Sequence, residues 1–377
     1  MRTLLAVLVC SIAAASFAQS NPLVPPAPPI GARAFLLLDY HSQQALAGKN
    51  PGDRVEPASL TKLMTAYLTF QALKDNKIQL TQTVPVSERA WKAEGSRMFI
   101  EPRRPVTVQE LMRGMIVQSG NDACIALAEL IAGSEEAFVQ MMNAQAKKLA
   151  MQNSNFMNST GLPNAQHYST AQDLALLAIA IIRDFPEYHP VYAMKEYRYN
   201  NITQANSNRL LWSDPTVDGM KTGYTENAGY CLITSAKRGE RRLISVVVGT
   251  ASESARATES QKLLNYGFQY YDSVKLYDKN QAVASLPIWK GSSNRVKAGF
   301  SNDLYVSLPK GQADKLKANL ESRQPLLAPV AAGQKIGVIK LTLEGKPYAE
   351  LPVMALEDVG LAGILGRGWD SIRLLFK

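Results

Sequence analysis

Strand-like segments stand at both ends of the first 270 residues, and helical periodicity fills the space between them; this layout limits the fold more than any other feature. Ala34 to Tyr40 is an apolar strand run, with Gln44 to Ala47 as its hairpin return. Two further strands, Tyr230 to Ser235 and Leu243 to Val248, flank the turn Lys237-Arg238-Gly239-Glu240. Between these ends, Ser59 to Leu73 carries Leu60, Leu63, Met64, Tyr67 and Leu68 at helical spacing. Residues 107–149 hold three helical stretches broken at Ser119-Gly120 and Gly133-Ser134, and Thr170 to Arg183 opens on a capping box of Thr170 and Asp173. Ser252 to Tyr270 returns to helix. An early strand that must meet late strands, with helices to cover them, predicts an α+β fold: an α/β sandwich whose antiparallel sheet is flanked by helices and carries a helical insert. Past Asp272 the pattern becomes short alternating runs such as Asp303 to Leu308 and Lys335 to Leu341, split by Gly and Pro, so residues 273–358 read as a small all-β domain.

The two ends read as something other than folded core. Arg2, the apolar run from Leu4 through Ile12, and Ser16-Phe17-Ala18 form a signal peptide over residues 1–18, too short to span a bilayer. Residues 19–32, with five prolines, have the composition of an extended linker. At the other end, residues 359–377 contain a helix on which Leu361, Ile364, Leu365, Trp369, Ile372, Leu375 and Phe376 share an arc of about 140°, opposite Arg367, Asp370, Arg373 and Lys377. Trp and Phe beside Arg and Lys favour an in-plane membrane anchor, with the cations toward lipid phosphates, over a terminal helix docked on its own protein.

Lys+Arg 41 less Asp+Glu 32 gives +9, or +8 without Arg2, and the charge is diffuse. It suits an anionic membrane surface and nothing in it is arranged for nucleic acid. Three His and three Cys are too few for a zinc cluster of the usual spacing, and no His-Glu-x-x-His run occurs, so no metal or cofactor is expected. Cys124 and Cys231 lie in apolar stretches and read as buried free thiols, although export would permit a disulfide.

Three short motifs carry the chemistry. Ser59-Leu60-Thr61-Lys62 opens the first long helix, and i, i+3 spacing sets Lys62 one turn from Ser59 on one face, where a desolvated amine serves as the base that a serine nucleophile requires. Alone the tetrad is weak: Ser307-Leu308-Pro309-Lys310 also fits, in a strand pattern where the two side chains share no helix face. Ser119-Gly120-Asn121 follows sixty residues after Ser59; taken alone, Asn121 is simply a helix cap. Lys221-Thr222-Gly223 precedes the strand pair; taken alone, Lys221 and Thr222 are solvated edge residues, while Gly223 lets a substrate backbone approach.

In this order and these settings the three motifs together resemble those of the penicillin-recognising serine acyl-transferases. More closely, the chain resembles the low-molecular-mass penicillin-binding proteins, D-alanyl-D-alanine carboxypeptidases of the bacterial envelope, with the β-lactamase/transpeptidase-like fold. The similarity extends through Ser119 to Cys124, Val217 to Thr225, Glu259 to Leu264, the β-module and the terminal helix. It implies a catalytic domain over residues 33–272 that attacks peptidoglycan stem peptides ending D-Ala-D-Ala and binds β-lactam antibiotics covalently. Ser59 would be the nucleophile and Lys62 its base, with Ser119 and Asn121 relaying protons and holding the substrate amide. Lys221 would complete a cationic cluster that keeps Lys62 neutral. The backbone N–H groups of Ser59 and Tyr224 would form the oxyanion hole, and Thr222 with Arg256 would bind the terminal carboxylate. Arg256 read without the resemblance is a solvated helix residue. Tyr224 stands where close relatives often carry His, and Ser87 to Pro102 corresponds to the loop that rims the site. The resemblance also implies a periplasmic location on the outer face of the inner membrane, a β-module acting as spacer, and admits a homodimer.

Two other chemistries use the same motifs. A class A β-lactamase needs a Glu-x-x-Leu-Asn run to activate its deacylating water, and none occurs between Ser119 and Lys221. A DD-endopeptidase shares every residue named. A wall-binding protein with a dead site would not need Ser59, Lys62, Ser119, Asn121 and Lys221 intact.

Overall fold

The computed structural model describes residues 24–375, so the expected signal peptide, the start of the linker, Phe376 and Lys377 lie outside the described residues. The chain forms two compact units that divide between Gln269 and Tyr270.

The first unit is built on a five-stranded antiparallel sheet. Its strands are β1 (Ala34–Asp39), β2 (Ala45–Lys49), β3 (Val217–Thr225), β4 (Gly229–Arg238) and β5 (Arg241–Thr250), in the order β2-β1-β5-β4-β3. The early strand is thus an interior strand, second from one edge and paired with a late one, with Leu37 opposite Ser245. All six residues of β1 are buried, because both faces of the sheet are covered. On one face lies α5 (Ala171–Asp184), preceded by α1 (Lys62–Lys74), α2 (Val108–Arg113), α3 (Asn121–Ala132) and α4 (Glu135–Lys148). On the other lies α6 (Glu253–Tyr270), which approaches so closely at Gly267 that a Cβ there would sit 2.7 Å from Leu243 Cδ1 and 2.9 Å from Leu37 Cδ2.

Helix α1 is the centre of the helical layer. Eleven of its 13 residues are buried, Thr65 and Thr69 among them, so the helix is enclosed on every side rather than along one stripe. Those two threonines satisfy their hydroxyls on the Ser159 and Thr65 carbonyls, at 2.6 and 2.8 Å. Of the capping box expected at α5 only half forms: Thr170 Oγ1 accepts from Asp173 N, while the Asp173 carboxylate instead accepts from Asn153 N and Ser154 Oγ.

The second unit is β-rich. A six-stranded sheet runs Leu316–Glu321, Lys335–Leu343, Lys346–Ala355, Arg295–Gly299, Ala282–Trp289, Leu326–Leu327, and a separate ladder pairs Tyr271–Tyr277 with Leu304–Pro309. Val296, Ala298, Leu308 and Val353 form its fully enclosed centre. The unit ends in α7 (Ile364–Leu374), of which no residue is buried. Its polar side meets the β-sheet: Lys290 N donates to Asp370 Oδ2 at 2.6 Å, and the Arg373 guanidinium lies 5.5 Å from the Trp289 ring. Its apolar stripe points away, with Ile364 80%, Leu365 91% and Leu375 82% exposed. The helix therefore does rest on its own unit, through its polar side, and the cation Arg373 faces an indole while the apolar stripe is left uncovered. Among the described residues no helix is long and apolar enough to cross a membrane.

Candidate active site

The first motif sits on a change of helix type. Ala58–Thr61 forms a single 3-10 turn that runs into α1 at Lys62, and Ala58 holds φ +47°, a left-handed backbone just before the serine. Lys62 Nζ lies 2.9 Å from Ser59 Oγ, so the i, i+3 expectation is met in space. The amine is buried and donates to the Thr160 carbonyl at 2.6 Å, while Ser59 itself remains partly exposed. Burial is the main cause that lowers the Lys62 pKa from that of an ordinary lysine; Cys124 and Asp122 oppose it. Lys221 is also buried, and burial followed by the charge of Lys62 pulls it well below the ordinary value. Burial thus comes first for both amines; the charge of Lys62 adds to it at Lys221, while the charges that act on Lys62 are those of Cys124 and Asp122.

The Asn158-Ser159-Thr160-Gly161 turn, which sequence reading missed, is what holds the amine. Asn158 Oδ1 accepts from the N–H groups of Thr160 and Gly161, and Glu135 Oε1 accepts from Ser159 N and Oγ at 2.9 and 2.6 Å. Arg89 in turn pairs with Glu135 Oε2 at 2.6 Å. Gly161 has φ +89°, and a Cβ there would fall 1.8 Å from the Ala58 carbonyl oxygen. Turn and nucleophile loop are in direct backbone contact, a closeness that only glycine permits.

Ser119 closes a π-helical turn, Gly114–Gln118, in left-handed conformation, φ +67° and ψ +32°. Its Oγ and the Oδ1 of Asn121 are buried without a hydrogen-bond partner. Asn121 is not a cap: Gly120 occupies that position, Asn121 begins α3, and its Nδ2 donates to the Glu94 carbonyl at 2.6 Å. Its neighbour Asp122, also missed, accepts from Met98, Phe99 and Ile100 N at 3.0, 2.8 and 3.2 Å. The first turn of α3 thereby fastens the rim loop, Ser87 to Pro102, with an anion placed where the helix dipole favours it.

The third motif lies inside β3, the edge strand of the sheet, with Thr222 opposite Leu232 and Gly223 opposite Cys231. Lys221 and Thr222 are 3% and 7% exposed, which overturns the solvated-edge reading. Gly223 also permits a close approach within the protein itself. A Cβ there would meet Pro57 O at 3.2 Å and Ala58 Cβ at 3.3 Å, so the glycine lets β3 close on the nucleophile turn. Arg256 is likewise buried, at 5%, which rules out the solvated-helix reading; it donates to the Gly223 and Ser207 carbonyls at 3.4 and 3.3 Å. Tyr224 is half exposed, with its ring 4.4 Å from that of Tyr230. Cys124 and Cys231 are free and buried, and burial pushes the Cys124 thiol up to about 12. The other Ser-x-x-Lys match places Ser307 inside a strand of the second unit and not at the opening of a helix. Among the described residues no cluster of His, Cys, Asp and Glu that could hold a metal occurs.

A buried amine against a serine hydroxyl, beside a second buried amine on an edge strand, is machinery for acyl transfer. Comparison with known proteins decides its kind. Residues 21–252 match the D-alanyl-D-alanine carboxypeptidase family model, and residues 271–360 match that of the penicillin-binding protein 5 C-terminal domain. The chain belongs to the D-alanyl-D-alanine carboxypeptidase family. It is 43% identical to the D-alanyl-D-alanine carboxypeptidase DacC of Escherichia coli, over 93% of this chain and 90% of that one. With DacA of the same organism it shares 38% identity over 100% and 95%. Among solved structures, penicillin-binding protein 5 from Haemophilus influenzae superposes with a TM-score of 0.85 at 41% identity, covering 89% of this chain and 99% of that one. The carboxypeptidase is thus a two-unit member of its family, with an α/β domain followed by a β-rich one and a C-terminal helix.

Proposed function

We propose that Ser59 is the nucleophile of this D-alanyl-D-alanine carboxypeptidase and attacks the carbonyl between the last two D-alanines of a peptidoglycan stem peptide. The observation that carries the reading is the buried Lys62 amine 2.9 Å from Ser59 Oγ, with one N–H committed to the Thr160 carbonyl. A neutral amine held that way has its lone pair for the serine proton. Attack forms the tetrahedral intermediate, whose oxyanion is received by the N–H groups of Ser59 and Tyr224. Ser119 and Asn121, with Oγ and Oδ1 unpaired in the protein, pass the proton to the leaving amine and hold the substrate amide. Expulsion of D-alanine leaves the acyl-enzyme, and water completes hydrolysis. Lys221 adds positive charge along the cleft, while Thr222 and Arg256 take the terminal carboxylate.

Penicillin enters the same path by acylating Ser59. With no Glu-x-x-Leu-Asn run to activate a deacylating water, the penicilloyl-enzyme is long-lived. Labelled penicillin, followed by peptide mapping, tests the assignment: a stable adduct on Ser59 is expected, and none in Ser59→Ala. Rapid turnover of penicillin, or a label on another residue, would overturn it.

We further propose that the chain is exported and that α7 lies in the plane of the inner membrane's outer leaflet. Its exposed Ile364, Leu365, Trp369 and Leu375 supply the apolar area such a helix immerses. Truncation after Gly360 is expected to abolish pelleting with anionic vesicles; retained binding would refute the anchor.

A further inference from the structure

We infer that a cavity at the end of β3 is a subsite for a carboxylate carried on the acyl side of the substrate peptide. This rests on the assignment of Ser59 and Tyr224 given above. The cavity measures about 440 Å³ and is lined by Arg33, Arg54, Glu56, His167, Tyr168 and Asn227, among others. It touches the catalytic elements from three directions. Glu56 lies three residues before Ser59, Asn227 three after Tyr224, and His167 follows the turn that holds Lys62.

The walls are tied together. Glu56 accepts from Thr225 Oγ1 and Asn227 Nδ2, both at 3.0 Å, and Arg33 Nη2 donates to the Asn227 carbonyl at 2.7 Å. Glu56 is the one anion among the six, and its two oxygens are already engaged by β3 and the turn that follows. The Arg54 guanidinium lies over the Tyr168 ring, 4.2 Å from its centroid, and its N–H groups make no hydrogen bond among the described residues. His167 donates no charge, since burial holds it down to about 4. Its Nε2 is paired with Thr61 Oγ1 at 3.0 Å, while its Nδ1 is buried without a partner. Two guanidiniums against one engaged carboxylate make the cavity net cationic, and a planar fork of donors fits a carboxylate.

Position indicates which part of the substrate arrives there. With Thr222 and Arg256 as the carboxylate partners proposed above, the leaving group lies on the Gly223 side of Tyr224, where Arg256 donates to the Gly223 carbonyl. A peptide extended along edge strand β3 therefore continues on its acyl side past Thr225 toward Asn227. Three strand residues span about 10 Å, the reach of one residue plus a long side chain. The subsite thus selects an acidic side chain on the residue that precedes the D-Ala-D-Ala pair.

The probes are two acetylated tripeptides, X-D-Ala-D-Ala, with X either L-2-aminoadipate or its side-chain amide. The wild-type enzyme is expected to prefer the carboxylate peptide in kcat/KM. In Arg54→Ala and in Arg33→Ala that preference falls about tenfold, and Arg54→Lys restores part of it, while kcat/KM for the amide peptide and the rate of penicillin acylation stay within twofold. Equal cleavage of both peptides by the wild type, or a preference unchanged in both alanine variants, would overturn the subsite without touching the role of Ser59. Failure of Ser59 to acylate would instead show in the penicillin arm and strike the underlying assignment.

Discussion

Replacement of Gly161 by alanine should disable the enzyme from outside its reacting groups. The added Cβ falls 1.8 Å from the Ala58 oxygen, 2.4 Å from Ala58 C and 3.0 Å from Ser59 N. Ordinary contact begins near 3.4 Å, so one backbone segment must move by about 1.6 Å. Neither neighbour can yield by rotating a side chain, because the obstructing atoms are backbone. If the nucleophile turn moves, Ser59 leaves its position; if the Asn158–Gly161 turn moves, the Thr160 carbonyl releases Lys62. Misplacement of about 1 Å costs on the order of 100-fold in rate, so acylation by penicillin should slow at least that much. The φ of +89° adds about 1–2 kcal/mol of strain for alanine, a loss of a few degrees in Tm. Gly133→Ala separates the two effects, since Gly133 has φ +81° but nothing within 4 Å of its Cβ position. It should lose similar stability and keep full acylation. The assay is time-resolved labelling with a fluorescent penicillin, beside thermal unfolding by circular dichroism. Acylation of Gly161→Ala within threefold of wild type would refute the idea that this contact sets the nucleophile.

Two other substitutions probe the buried charges. Lys221→Met should raise Tm by about 5 °C at pH 7, measured by calorimetry, while slowing acylation about 100-fold, because a buried amine is replaced by a chain of similar volume. The folded Lys221 pKa lies below the unfolded value near 10.5, so the unfolded chain binds more protons between the two and the wild type gains stability as pH rises. The advantage of the variant should therefore shrink toward pH 10.5. Glu135→Gln should lower stability by about 1–3 kcal/mol, since Arg89 loses its buried partner, and slow acylation about tenfold as the Ser159-Thr160 turn loosens; chemical denaturation and penicillin labelling read the two effects.

Sequence patterns exposed those parts of the molecule that depend on local spacing. Ser59 and Lys62 are three residues apart at the opening of a helix, and that alone brings them together. The breaks at Ser119-Gly120 and Gly133-Ser134 were legible because their residues punctuate helices, the second through the Ser134 cap on Ala137 N. What stayed hidden depends on tertiary contact. Strand β3 reads poorly because Val217–Thr225 contains two glycines and lacks clean alternation; pairing with β4 makes it a nine-residue strand. Arg256 looks like any polar helix residue until α6 is laid on the sheet and buries it. Thr160 acts through a carbonyl oxygen, which every residue type possesses, so no side-chain pattern could reveal it. The glycine of Lys221-Thr222-Gly223 signals a close approach, but that the nucleophile turn packs against it depends on tertiary contact.

The central claim is that Ser59, driven by the buried Lys62, releases D-alanine. The most direct measurement is D-alanine release from a stem pentapeptide ending D-Ala-D-Ala, comparing the wild type with Ser59→Ala at matched folded concentration. Steady release by the wild type and none above background by the variant is the predicted result. D-Alanine release by Ser59→Ala at a rate near that of the wild type would contradict the account.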